Sequence, residues 1–299
     1  VAANVEPAPV LRQKRLGDFW YRLKEHIRPF KPDFVIMGYS THYGMTSTYG
    51  SLSQGGALEQ STRGWDFVGT EIMTRNIYAN YRAVMSLRQA KGQFQHSAGL
   101  PVYGLVYTAV FNWDLMYFGW ALNNLLGQAT WEMTGHHCPP GKSNYRLFTA
   151  DNGNIALREA EPVANVALLF SNQSRDWPRG TSYPPDVLGL SQLLNLKHIP
   201  HVFLNETGLK QDILQKYQVL LVCNAMALSD ANIAAIRAFA QQGGTVYLSN
   251  RVAASNENGD LRSAWPFADL FPLERQDKAS PAGKLAAGPG FAEALAPET

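Results

Sequence analysis

The run ANVALLF at residues 164–170 is short, apolar almost throughout, and followed at once by the polar Ser171, Asn172 and Gln173. A run of this length between polar flanks reads as a strand buried on both faces. Outward from it, a helical stretch follows at 186–196, a second strand at 201–204 and a third at 218–223. Ser229 stands where a helix needs an N-cap. Ile233, Ile236 and Ala240 fall on one face of the helix it opens, and Gly243-Gly244 stops that helix. Residues 245–248 make the next strand. Strands apolar on both sides, alternating with helices of this length, require a parallel sheet covered on both faces. The spacing predicts a doubly wound α/β domain.

Upstream, residues 1–10 are rich in Pro and Ala and predict irregular chain. Residues 11–27 predict an amphipathic helix with Leu16, Phe19, Trp20, Leu23 and Ile27 in one stripe, ended by Pro29 and Pro32. A buried strand is expected at 34–37. The Gly-, Ser-, Thr- and Tyr-rich loop at 38–56 has the length at which loops carry function. Strands at 65–70, 101–108 and 129–133 alternate with helices at 78–88 and 115–126. The strand–helix pattern thus runs four times. Four units cannot close a ring: a packed parallel barrel needs eight strands, and four leave two open edges and an uncovered inner face. These strands are either an open sheet or the second half of a barrel cut upstream of Val1. Residues 276–299, rich in Ala, Gly and Pro without period, read as a tail or the start of a further domain.

Composition excludes several classes. Lys plus Arg number 26 and Asp plus Glu 24, so no basic surplus points to nucleic acid. No apolar run reaches the roughly 18 residues of a membrane span. Signal peptides are not visible either, which leaves the compartment, cytoplasmic or secreted, open. Cys138 and Cys223 fall in different predicted domains and make neither a disulfide framework nor a zinc site by themselves. Aromatic residues, at 11%, suit either a core or an aromatic-lined sugar site.

The segments VALLFS (166–171), LLVCNAMALSD (220–230), AIRAFAQQGGTVYLSN (235–250) and ADLF (268–271) resemble the trimerisation domain of family 42 glycoside hydrolases. In those β-galactosidases this flavodoxin-like, class I glutamine amidotransferase-like domain follows a catalytic (β/α)8 barrel directly. The likeness covers residues 163–272 and, more weakly, 31–153 as the closing part of the barrel. It implies a fold in which the C-terminal half of a TIM barrel (1–158) precedes a doubly wound domain (159–275). It also implies a carbohydrate substrate, a homo-oligomer (a trimer in the family) and no cofactor.

Barrel chemistry sits at the C-terminal ends of strands, here near 38–43, 70–73, 108–113 and 134–138. Glu71 is the leading candidate, a carboxylate at the end of the strand WDFVGT. Glycoside hydrolysis needs two carboxyl groups, about 5–5.5 Å apart for retention and 6.5–9.5 Å for inversion. One donates a proton and the other is nucleophile or base. The plain alternative is a Glu paired with Arg75. The second carboxylate is expected upstream, after the fourth strand, so this fragment by itself is expected to be inactive. The resemblance departs at one point: the family's nucleophilic Glu follows the seventh strand, here near 107–113, where Asp114 is the nearest acid. An acid on strand six, such as Glu71, is more like the placement in α-L-fucosidase-type barrels.

Around Glu71, Trp113 and Asn112 after one strand, and Tyr39, His42 and Tyr43 on the long loop, are candidates to stack on or hydrogen-bond a pyranose. Trp131 and Glu132 alternate on the last strand, and an inward Trp131 would floor the subsite while Glu132 turns toward the helices. His136-His137 precede Cys138; adjacent ligands rarely converge on one metal ion, so bonds to sugar hydroxyls are preferred over zinc. Cys223 lacks the flanking glycines of an amidotransferase nucleophile elbow and reads as an inert strand-end thiol. No Gly-rich phosphate loop follows the first strand of the second domain. Three functions remain in play: a two-carboxylate glycosidase, a non-catalytic carbohydrate-binding or assembly protein of the same architecture, and a hydrolase or amidotransferase using Cys223.

Overall fold

The computed structural model describes residues 8–40, 58–73, 88, 91–107, 113–132, 163–176 and 183–270. Within them the chain is an α/β protein with two parallel sheets. The first unit runs α1 (Ala8–Ile27), β1 (Met37–Ser40), α2 (Leu58–Ser61), a 3-10 turn, β2 (Phe67–Met73), a π-helical turn (Lys91–His96), β3 (Val102–Tyr107), α3 (Trp113–Leu125) and β4 (Ala129–Glu132). Its sheet has the order β1-β2-β3-β4, each strand parallel to the one before it. Of the helix expected over 78–88 all but residue 88, of the loop expected over 38–56 all but residues 38–40, and the segment 271–299 lie outside the described residues.

Besides α1, which begins at Ala8 inside the stretch expected to be irregular rather than at residue 11, two strands shift by up to three residues from the sequence reading. The first strand is Met37–Ser40 rather than 34–37, and Phe34 and Val35 are exposed. The approach to β1 is held instead by Asp66: the Ile36 N–H donates to its carboxylate at 2.9 Å, and the Asp66 N–H donates to the Ile36 carbonyl. Lys24 and Arg28 of the α1 end bind the same carboxylate at 2.7 and 2.8 Å. Burial pushes the Asp66 carboxyl up, but the Ile36 bond and the two cations outweigh it and leave the group below its ordinary value. A depressed carboxylate stabilises the fold above its unfolded pKa and loses that contribution as pH falls through the folded one. Asp66→Asn is therefore expected to cost about 1–3 kcal/mol at pH 7. In urea titrations the gap between variant and parent should shrink at pH 3.5. The second difference is at β2, which continues to Met73 because Gly104–Tyr107 pair with Thr70–Met73.

The second unit runs β5 (Val166–Leu169), α4 (Asn172–Asp176), α5 (Tyr183–Leu196), β6 (His201–Leu204), a 3-10 turn, α6 (Gln211–Leu214), β7 (Val219–Cys223), α7 (Asp230–Gln241) and β8 (Thr245–Ser249). Its parallel order is β6-β5-β7-β8. β5 and β6 are buried at every position and β7 at all but Cys223, as unbroken apolar runs demand. Ser229 caps α7 by accepting from the Asn232 N–H at 3.2 Å, and Gly243 ends it at φ 94°. The buried face of α7 carries Ile233, Ile236 and Phe239; Phe239, not Ala240, completes it.

The units meet where the π-helical turn lies on β6. A Cβ on Gly92 would stand 2.0 Å from the Phe203 carbonyl oxygen, so only glycine fits there. The Asn205 N–H donates to Ser97 Oγ at 3.3 Å, Thr207 Oγ1 to the Ser97 carbonyl at 3.2 Å, and Arg88 Nη1 to the His201 carbonyl at 3.1 Å. This seam precedes β3 in the chain, so it lies toward the amino ends of the first sheet's strands.

Candidate active site

Because all four strands of the first sheet are parallel, their carboxyl ends share one edge. Register fixes which positions align there. Glu71 is opposite Leu105, and Leu105 is opposite Trp131. Tyr39 is opposite Gly69 and Gly69 opposite Tyr103, one step earlier in the same alternation. Positions 39, 71, 103, 105 and 131 therefore belong to one set of rows. Glu132, opposite Val106, belongs to the other set, with Val68 and Val102. Val68 and Val102 of that second set pack with Ile36, Trp65 and Phe94. With strands about 4.8 Å apart, positions 71 and 131 lie roughly 10 Å apart across the sheet.

Of the first set, Tyr103 and Leu105 are buried. Tyr103 lies across Gly69, where a Cβ would come within 1.9 Å of its ring, and its hydroxyl donates to Met37 Sδ at 2.9 Å. Met37 and Tyr103, with Val35, Phe67 and Ala129 and with Val102 and Thr130 of the other set, line an open groove of about 560 Å³ at the amino ends of the strands. Glu71 is four residues further along β2 than Phe67, about 13 Å toward the other end. Sequence reasoning missed Tyr103; the glycine inside β2 was its signal, since a strand glycine often marks a close approach. Trp113 opens α3. Asn112, His42, Tyr43, His136 and His137 lie outside the described residues. Among the described residues no three His, Cys, Asp or Glu side chains group as metal ligands, and no helix is long and apolar enough to cross a membrane.

In the second sheet the order places β5 beside β7, and the crevice at their carboxyl ends is where such sheets take ligands. Here the protein's own groups fill it. Ser174 Oγ donates to the Ala227 carbonyl at 3.1 Å and accepts from the Ala227 N–H at 3.0 Å. Ser171 Oγ lies 2.7 Å from Glu206 Oε1, which also accepts from the Gln173 N–H. Burial pushes the Glu206 carboxyl up despite these bonds. Arg175, fully buried, forks onto Asp176 at 2.9 and 3.1 Å and reaches Asn172 Oδ1.

Cys223 ends β7. A left-handed turn does follow it without glycine: Asn224 takes φ 49° and donates to Asp186 at 2.6 Å. The strained residue is thus the asparagine, not the cysteine. Burial pushes the Cys223 thiol up, and the Asp186 charge adds to this against a bond from Ser249. A thiol held protonated is a poor nucleophile. Iodoacetamide at pH 7.5 is expected to label Cys223 more slowly than it labels free cysteine under the same conditions, as read by intact mass.

No protein-family model matches the sequence, and no curated protein matches it. Solved structures do. A catalytic mutant of a GH42 β-galactosidase from G. stearothermophilus superposes with TM-score 0.67 at 11% identity, covering 90% of this chain and 45% of that one. The exo-carrageenase GH42 from Bacteroides ovatus gives 0.67 at 13%, covering 86% and 40%. The β-galactosidase from Rahnella sp. R3 gives 0.63 at 14%, covering 86% and 43%. The chain spans less than half the length of each of these structures. In fold it is similar, over most of its own residues, to family 42 glycoside hydrolases.

Proposed function

We propose that the chain is part of a glycoside hydrolase that cleaves O-glycosidic bonds, β-galactosidase-like, by a two-carboxylate mechanism. The supporting observation is the register of the first sheet, which sets Glu71 and Trp131 in one row toward the carboxyl ends of the strands. A carboxylate and an aromatic plate about two strands apart are the parts a sugar ring needs on either side. Glu71 is assigned as one of the two acids. Trp131 is the floor of the subsite, and Trp113, Asn112, Tyr39, His42, His136 and His137 its rim. The first unit, 1–158, is read as the closing half of a (β/α)8 barrel. The second, 159–275, is read as a flavodoxin-like assembly domain of a homo-oligomer, a reading its order β6-β5-β7-β8 supports. Its filled crevice argues against chemistry of its own.

The test is turnover of a panel of nitrophenyl glycosides by the protein expressed with whatever precedes Val1 in its reading frame. Release of nitrophenol from at least one sugar supports the reading. Binding of sugars without turnover of any would replace it with the non-catalytic carbohydrate-binding alternative.

A further inference from the structure

We draw no further inference here: the strongest candidate, the apolar groove at the amino ends of the first sheet's strands with Val35 and Met37 exposed on its wall, is an unpartnered face, and nothing in the structure shows what covers it.

Discussion

Replacing Glu71 by Gln, in the protein carrying its complete reading frame, is expected to lower kcat/KM on the best nitrophenyl glycoside by about 10²–10⁴-fold. The substitution keeps the shape of the side chain and removes its ability to ionise or to give up a proton. A residue that only packs or pairs would tolerate it with a change of a few-fold. The split between constants carries the assignment. Loss in kcat with KM nearly unchanged marks a group acting in the transition state, whereas a rise in KM with kcat intact marks one that only holds the sugar. Rescue by azide with an activated substrate, together with the anomer of the azide product, would place Glu71 as nucleophile or as acid–base. Turnover equal to the parent's would remove it from the mechanism.

Gly92→Ala is expected to be the most damaging small substitution at the seam, at about 3 kcal/mol or more. The obstacle is the Phe203 carbonyl oxygen in the middle of β6, which cannot move without breaking its ladder. Neither can the turn retreat easily, because the neighbouring Lys91 is buried and donates to the Leu126 carbonyl at the end of α3. Gly189→Ala is the control: it lies in α5 with open space around the added methyl, and should stabilise by about 0.5–1 kcal/mol. Urea unfolding of both variants reads the contrast.

What was legible in the sequence follows from what kind of interaction made each element. The second unit was readable because its strands are continuous apolar runs and its last helix carries both its cap and its stop; residues 201–204 are a strand in both readings. The first unit was readable in kind and order but not in its edges. Phe34 and Val35 look like a buried strand, yet β1 starts at Met37, because an aspartate about thirty residues later decides where the chain enters the sheet. Glu71 reads as the residue after a strand, but pairing with β3 carries β2 two residues past it. The seam had no local signal at all. Its bonds join residues more than a hundred positions apart, and the π-helical turn that makes them is shaped by a neighbour, not by its own propensities.

The two strand orders set different demands on a nascent chain. In the first sheet each new strand finds its only earlier neighbour already made, so assembly proceeds stepwise as the ribosome delivers it. In the second, β5 emerges first yet sits in the interior, flanked by β6 and then β7, so its apolar run waits through some fifty further residues before both sides are covered. Between synthesis of Leu169 and of Cys223 one edge of β5 is therefore left open to pairing with other chains.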